Sequence, residues 1–140
     1  MGAGMEIAST CDIRIAGESA RFGAPIARLG FPMAPREAQL VARAAGELTA
    51  REMLLEAAAL GAPEMKQRGF LNRVVPDADV ATQAMASARR IAALAPQAAR
   101  LNKQLLRNLA GPHEAAYRYA DSPEHREGIS AFLEKRQPAF

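Results

Sequence analysis

The pattern of apolar and polar positions divides the chain into a first stretch of mixed elements and a second stretch of helices. In the first stretch, alternating or β-branched runs predict strands at 11–16, 20–23 and 70–75, the last closed by Pro76. Beyond residue 76 the apolar spacing is helical throughout. It predicts helices at 79–94, 96–109, 113–120 and, after Ser122-Pro123, at 124–136. The pattern therefore indicates an α/β part followed by an all-helical part.

The first stretch also contains four predicted helices, at 5–8, 35–45, 50–60 and 63–68. Pro35 suits the first position of the second of these helices, and Gly46 ends it. Thr49 and Glu52 lie three residues apart and form a capping-box pattern, which predicts the start of the third helix.

Composition and cysteine content exclude several classes of protein. The 140 residues suffice for one domain with a buried core. Aromatic residues make up 5% and tryptophan is absent, so Leu, Ile, Val, Met and Ala are expected to fill that core. A single cysteine, Cys11, excludes a disulfide framework and a zinc site built on several thiolates. No apolar run is long enough to cross a bilayer and no secretory signal opens the chain, so we expect a cytoplasmic protein without a membrane partner.

The formal net charge of +3 is mild, and the basic residues alternate with glutamates. Arg36-Glu37, Arg51-Glu52 and Arg126-Glu127 are typical of solvated helix faces. No basic stripe with interleaved aromatic residues is present, so a nucleic-acid partner is not expected. A mildly basic surface suits an anionic small molecule, such as a thioester that carries a nucleotide.

The opening of the first helix is the main candidate for chemistry. Gly2-Ala3-Gly4 at a helix start can present free backbone N–H groups to an anion or a developing oxyanion, and the alternative is a glycine turn without a ligand. Glu6 lies one turn into the helix and is a candidate general acid or base. Its alternative role is a carboxylate stabilised by the helix dipole. A dinucleotide-binding fingerprint is not met, because Ile7 stands at its last position and no strand precedes it.

Five other positions are candidates for chemistry or ligand contact. Cys11 has no cationic neighbour in the sequence and is predicted to be a buried structural thiol. His113 and His125 offer neither a metal pair nor a triad and are predicted to lie at the surface. In the last helix, Phe132 could cover a base while Lys135 meets a phosphate, and the alternative is an amphipathic helix with a basic end that suits its dipole.

Taken in order, these segments resemble the enoyl-CoA hydratase/isomerase (crotonase) family over essentially the whole chain. The resemblance implies a fold of repeated ββα turns, here a partial crotonase core over residues 1–76. It also implies a helical region over 77–140 that drives trimer formation, with trimers pairing into hexamers. The segments that carry it are Gly2 to Ala8, Cys11 to Ala16, Ala20 to Pro25, Leu29-Gly30, Gln39, Gly69 to Pro76 and Glu127 to Arg136.

The same resemblance implies a substrate and a site. Family substrates are acyl-CoA thioesters, whose enolate-like intermediates are held by two backbone N–H groups. One of these N–H groups falls on Ala3, with Gly2 beside it, and the first family acid falls on Glu6. The family contacts to the CoA nucleotide fall on Phe132 and Lys135. CoA is thus part of the substrate, and neither a metal nor a further cofactor is implied.

Two departures from the family pattern change the expected chemistry. The chain matches only the later part of a subunit nearly twice as long, and the remainder would supply the partner N–H group and most of the CoA groove. We therefore expect a misassigned start, a truncated gene or a second segment that completes the fold. The second acid of the hydratases falls on Ile26, which cannot carry a proton. The glycine-rich loop that follows it is replaced by the stiffer and more apolar segment 31–37.

Two functions stay open from the sequence, and a third has little support. The first is a crotonase-type enzyme that hydrates enoyl-CoA or isomerises its double bond; isomerisation is easier with Glu6 as the only matched acid. Glu37 is a substitute acid from the altered loop, with a helix-dipole role as its alternative. The second function is a truncated, non-catalytic subunit that oligomerises and at most binds CoA weakly. The third is a helical oligomerisation domain unrelated to thioesters.

Overall fold

The computed structural model describes residues 1–108 and 117–140. They form two compact units, Met1–Ala84 and Met85–Phe140, and each is described by itself. The domains expected from the family, 1–76 and 77–140, stay a prediction.

The first unit contains helices, short strands and two 3-10 turns. The turns are Ile26–Leu29 and Asp77–Asp79. Its strands are β1 (Ile15–Gly17), β2 (Arg21–Phe22), β3 (Leu60–Gly61) and β4 (Arg73–Val75). Its helices are α1 (Ala3–Thr10), α2 (Pro35–Ala45), α3 (Glu47–Leu55), α4 (Ala62–Gln67) and the start of α5 (Val80–Ala92).

The four strands form two small pairs. β1 pairs with β4 in parallel, and β2 pairs with β3 antiparallel. The first predicted strand is shorter than expected, because the Arg14 N–H donates to the Asn72 side chain at 2.7 Å instead of to a neighbouring strand. The third is shorter because the Phe70 and Leu71 N–H groups both donate to the Met65 carbonyl, at 2.9 and 3.3 Å, and close α4.

The predictions for α2 and α3 had opposite outcomes. α2 begins at Pro35 and ends before Gly46 as predicted. The capping box predicted for α3 is wrong, because the helix begins at Glu47 directly after Gly46. Glu52 is occupied by a two-pronged ion pair with Arg68, at 2.9 and 3.0 Å, which lowers the pKa of the Glu52 carboxyl.

The end of α3 also differs from the prediction of a helix to residue 60. The helix ends at Leu55, and Ala57 adopts a left-handed conformation with φ 54°. The Ala58 N–H then donates to the Glu52 carbonyl at 3.1 Å. This turn reverses the chain, so that Leu60 lies in β3.

Methionine and alanine fill much of the first unit's core. α1 packs against α2, and α2 against α3. Phe70, at the centre, lies edge-on to Phe22 with ring centroids 5.6 Å apart. The largest fully buried side chains are Phe70, Met5, Met53, Met65 and Val41. An aromatic ring therefore joins the aliphatic side chains that composition predicted.

The second unit contains the end of α5, α6 (Pro96–Arg107) and α7 (Pro123–Glu134). The predicted start of α7 is confirmed, because the Ser122 hydroxyl accepts the His125 N–H at 3.1 Å. Glu124 reaches from α7 to α6 and accepts the Gln97 N–H at 2.9 Å. Glu124 therefore ties α7 to the start of α6.

Two predicted elements of the second unit fall partly outside the described residues. Helix 96–109 ends at Arg107, and residue 109 is not described. Of the predicted helix 113–120, residues 113–116, including His113, lie outside the described residues. Residues 119–122 form a turn in which the Ser122 N–H donates to the Tyr119 carbonyl at 2.8 Å.

Candidate functional site

The N-terminus of α1 begins with a tight turn over residues 1–4. Gly2 has φ 55° and ψ −131°, and the Gly4 N–H donates to the Met1 carbonyl at 3.2 Å. These values lie close to those of the first central residue of a type II′ turn, about +60° and −120°. Because this region favours glycine, the glycine at position 2 is required by conformation.

Three of the four amides that follow Met1 have acceptors within the chain. The Gly2 N–H donates to the Gly23 carbonyl at 2.8 Å, the Gly4 N–H to Met1, and the Met5 N–H to the Gly2 carbonyl at 2.8 Å. The Ala3 N–H donates to no residue within the described ranges, and Ala3 is exposed. This amide points from the positive end of a helix and is available to a ligand anion.

Glu6 lies one turn after Ala3, on the same side of α1. It is half-buried, and its carboxylate forms no hydrogen bond or ion pair with the part of the chain that the structure describes. The carboxylate is therefore free to exchange a proton with a ligand. Its place in the first turn also satisfies the helix-dipole alternative.

Ile26 lies on a groove without polar side chains. The groove measures about 510 Å³ and runs between the first 3-10 turn, the following loop and the end of α3. Ile26 follows Gly23, the residue bonded to Gly2, by only three positions. The groove's lining consists of Ile26, Ala27, Gly30, Phe31, Pro32, Met33, Ala38, Leu54 and Leu55. None of these residues has a side chain that can activate water.

Glu37 does not enter that groove. Its carboxylate accepts the Ala34 N–H at 3.2 Å and closes the first turn of α2. This contact supports the alternative role at the helix start over that of a substitute acid.

Phe132 and Lys135 lie at the end of α7 in the second unit. Phe132 is 79% exposed. Lys135 is exposed, has a left-handed conformation with φ 54°, and donates its N–H to the Phe132 carbonyl at 3.3 Å. Neither side chain is engaged by another described residue, so both can contact a ligand.

The neighbouring Arg136 is already engaged. Its guanidinium contacts both carboxylate oxygens of Glu127, at 2.6 and 2.9 Å, and one oxygen of Glu134 at 2.6 Å. The Ala139 N–H also donates to Glu127, at 2.7 Å. Together these donors lower the pKa of the Glu127 carboxyl to about 2. Of the basic residues at this helix end, Lys135 is the one that can meet a phosphate.

Two predictions about reactive side chains need correction. Cys11 is exposed, because it follows the last turn of α1 and leaves the packed face of the helix. Its thiol donates to the Ile7 carbonyl at 3.5 Å. His125 is half-buried instead of lying at the surface, because it packs edge-on against Tyr119 with ring centroids 5.2 Å apart.

Two further results concern metals and membranes. Within residues 1–108 and 117–140, no group of three His, Cys, Asp or Glu side chains is placed to hold a metal ion. No described helix is both long and apolar enough to cross a lipid bilayer.

One contact at the candidate site was not predicted from the sequence. Gly23 carries the acceptor for Gly2, although the two residues lie 21 positions apart. Gly23 lies in the segment Ala20 to Pro25 that carries the resemblance, but nothing local in that segment reveals a bond to the start of α1.

Comparison with known proteins covers the whole chain. The family model described as Enoyl-CoA hydratase/isomerase matches residues 1–140. The 2,3-dehydroadipyl-CoA hydratase of Escherichia coli (strain K12) is 34% identical, with 100% of this chain and 58% of that protein aligned. The short-chain-enoyl-CoA hydratase of Clostridium acetobutylicum is 32% identical, with 98% of this chain and 56% of that protein aligned.

Solved structures give the same result. The structure of an enoyl-CoA hydratase/carnithine racemase from Magnetospirillum magneticum superposes with a TM-score of 0.91 at 39% identity. The superposition covers 99% of this chain and 55% of that one. The chain thus has the fold of these proteins and spans little more than half of their length.

Proposed function

Because the chain belongs to the enoyl-CoA hydratase/isomerase family, we propose that it is a crotonase-type enzyme acting on acyl-CoA thioesters. The observation that carries this proposal is the free Ala3 N–H at the start of α1, one turn from the unpaired carboxylate of Glu6. CoA enters as part of the substrate, and the proposal requires no further cofactor.

The Ala3 N–H is proposed to stabilise the thioester oxygen. As a proton leaves C2 of the acyl group, the electron pair of that C–H bond moves towards the thioester carbonyl and makes its oxygen negative. A fixed N–H donor at a helix N-terminus stabilises this charge, and removal of one such donor typically costs about 10²–10³ in rate. The described site supplies one donor; the resemblance implies a second.

Glu6 is proposed to carry the proton. In an isomerisation, the carboxylate removes the C2 proton of a 3-enoyl thioester and forms a dienolate. The resulting carboxylic acid returns the proton to C4, so the double bond moves from C3–C4 to C2–C3. General acid–base catalysis of this kind contributes about 10²–10⁴ in rate.

The apolar surroundings of Ile26, the position where the resemblance places the second acid of the hydratases, favour isomerisation over hydration. Hydration needs groups that orient and deprotonate water as well as protonate carbon. The lining at Ile26 offers hydrocarbon and no hydrogen-bonding side chain. Isomerisation needs one carboxylate that moves one proton, which Glu6 can do alone.

The second unit is proposed to bind the nucleotide of CoA and to assemble the protein. Phe132 can cover the adenine ring while the Lys135 ammonium meets a phosphate. The exposed apolar side chains of its helices, among them Leu106 and Leu133, fit a homotrimer or a hexamer built from two trimers.

A second candidate function is a non-catalytic, crotonase-like subunit. The replacement of the second acid by Ile26 favours it. In that case the chain oligomerises and binds CoA thioesters weakly without turning them over.

Turnover of 3-enoyl-CoA and 2-enoyl-CoA by the purified chain separates the two functions. The enzyme proposal expects isomerisation of 3-enoyl-CoA that falls by about 10²-fold or more in Glu6→Gln. Glu18→Gln is the matched control, because Glu18 is an exposed glutamate of the first unit outside α1. Equal turnover by the parent and Glu6→Gln would remove Glu6 from the mechanism. Thioester binding without turnover would favour the non-catalytic subunit.

A further inference from the structure

We propose that Gly23 is a positioning residue, whose carbonyl holds the Gly2–Ala3 peptide so that the Ala3 N–H faces a ligand. This inference rests on the proposed function, because it gives the Ala3 N–H the role of oxyanion donor. Gly23 itself touches no reacting atom.

The conformation of Gly2 sets the direction of the Ala3 N–H. That N–H belongs to the peptide unit between Gly2 and Ala3, the central peptide of the opening turn. Types II and II′ differ from types I and I′ chiefly by a rotation of this central peptide by about half a turn. With φ 55° and ψ −131° at Gly2, the Ala3 N–H is left without a described acceptor. A different conformation at Gly2 would turn the donor elsewhere.

The Gly23 carbonyl fixes the other side of Gly2. It accepts the Gly2 N–H at 2.8 Å, which limits rotation about the bond that defines φ of Gly2. The turn is thus held at two points: the Gly4 N–H closes it on Met1, and Gly23 anchors its first peptide.

Gly23 is itself held by the β2–β3 pair and by the turn after α3. Phe22 pairs with Leu60 across the two strands. The Arg21 guanidinium donates to the Ala59 carbonyl at 2.6 Å. These contacts bring residues 58–59 directly against Gly23, so the position of its carbonyl is determined by the core of the unit.

Space, and not conformation, explains the glycine at position 23. Its φ lies outside the left-handed region. A methyl group there would stand 2.5 Å from the Ala58 carbonyl oxygen and 3.3 Å from the Ala59 Cα. Both are backbone atoms that cannot rotate away, so Gly23→Ala must move the carbonyl that anchors Gly2.

The test uses acetoacetyl-CoA, a 3-oxoacyl thioester whose enolate absorbs in the near ultraviolet. On binding, its C2 proton leaves to Glu6 or to water, and the electron pair of that bond forms the enolate. An oriented N–H donor raises the enolate fraction. The chain is produced with a short upstream tag, which keeps Met1 and leaves Gly2 with a peptide N–H.

Gly61→Ala is the matched control, because it lies in β3 and a methyl group there meets nothing closer than 3.8 Å. We expect Gly23→Ala to bind acetoacetyl-CoA with nearly the parent's affinity while its enolate fraction at saturation falls on the order of tenfold or more. By amide hydrogen exchange, the Gly2 N–H should be protected in the parent and in Gly61→Ala and should exchange freely in Gly23→Ala. A purely packing role would not separate enolate formation from affinity in this way.

The remaining outcomes also decide the proposal. An unchanged enolate fraction in Gly23→Ala, or a Gly2 N–H that exchanges freely in the parent, would overturn it. If the parent binds the thioester without forming enolate, the proposed function fails, and protection of the Gly2 N–H still decides whether Gly23 anchors this peptide. If Gly23→Ala does not fold, Gly2→Ala replaces it: a methyl group at Gly2 meets nothing within 4 Å, but at φ 55° it strains the opening turn and should turn the Ala3 N–H away. That variant should stay folded, bind the thioester and lose the enolate signal, and an unchanged signal would contradict the proposal.

Discussion

The two units of the chain bury their apolar side chains to very different extents. The first unit encloses Phe70, Met5, Met53 and Met65 completely. In the described part of the second unit, the buried residues are Ser87 and Ala131, while Leu106, Phe132 and Leu133 are 73–79% exposed. The first unit can therefore hold its shape through its own packing. The described part of the second unit has no comparable buried cluster and is tied by polar contacts such as the one between Glu124 and Gln97. Exposed apolar side chains occur in both units, as at Leu55 in the first.

Truncation of Phe70, the ring at the centre of the first unit, should cause the largest loss of stability. Phe70→Ala removes a fully buried side chain that packs on Phe22, and we expect the free energy of unfolding to fall by about 3–5 kcal/mol. Urea denaturation followed by circular dichroism measures the change. Phe132→Ala is the matched control and, at concentrations where the chain is monomeric, should change stability by less than about 0.5 kcal/mol. Similar losses in both variants would contradict the contrast between the units.

Substitution of Gly46, which joins α2 to α3, should cause the next largest loss of stability. Gly46 has φ 87° and ψ 148°, a region that side chains avoid, so Gly46→Ala should cost about 1–3 kcal/mol. Thermal and urea unfolding both measure this loss. Gly61→Ala provides the comparison, because Gly61 has φ −79° and room for a methyl group. A Gly46→Ala variant as stable as Gly61→Ala would show that this joint is not constrained.

At the end of α7, a lysine occupies a position whose left-handed conformation favours glycine. Lys135 is left-handed, so Lys135→Gly should raise the free energy of unfolding by about 1 kcal/mol. The chain has two tyrosines and no tryptophan, and Tyr117 and Tyr119 both lie in the second unit, so tyrosine fluorescence reports on that unit. Lys103→Gly, within α6, should instead lower stability by about 1 kcal/mol. A loss in both variants would argue against strain at Lys135. Under the proposed function, Lys135→Gly should also weaken binding of CoA.

The smallest expected effect is the loss of stability at low pH when Glu127 is protonated. The pKa of Glu127 is about 2 in the folded chain and near 4.5 when unfolded, so the ionised carboxylate favours the folded state. Its contribution is fully present above about pH 4.5 and is lost as the pH falls through about 2. Acid titrations followed by tyrosine fluorescence should therefore show that the stability of the parent falls with pH in this window, whereas the stability of Glu127→Gln does not. The dependence should persist in Glu64→Gln of the first unit. An identical titration for Glu127→Gln and the parent would contradict the role of the Arg136 pair.

Local signals in the sequence predicted what local interactions decide. Pro35 and Gly46 gave the bounds of α2, and Ser122 gave the start of α7, because each acts through its own backbone or a neighbouring amide. The family resemblance is confirmed, and so is the expected α/β crotonase-like fold with a helical carboxyl-terminal part. The predicted oligomer stays a prediction.

Long-range contacts account for what sequence could not predict. Thr49 and Glu52 matched a capping box, yet Arg68 engages both side chains. The Asn72 side chain shortened the first strand from 58 positions away. In the site, the roles of Ala3 and Glu6 are implied by the resemblance and stay predictions, whereas the proposed role of Gly23 depends on a hydrogen bond to Gly2, which lies 21 positions away.

Oxidation of the buried methionines can report on local opening of the first unit. Met5, Met53 and Met65 are fully enclosed, so peroxide can convert their thioethers to sulfoxides only when the surrounding helices open. Each sulfoxide would add a polar oxygen where thioethers now fill irregular space, and would make reclosure less favourable. The extent of oxidation at each methionine, read by mass spectrometry, would rank how often α1, α3 and α4 separate from the rest.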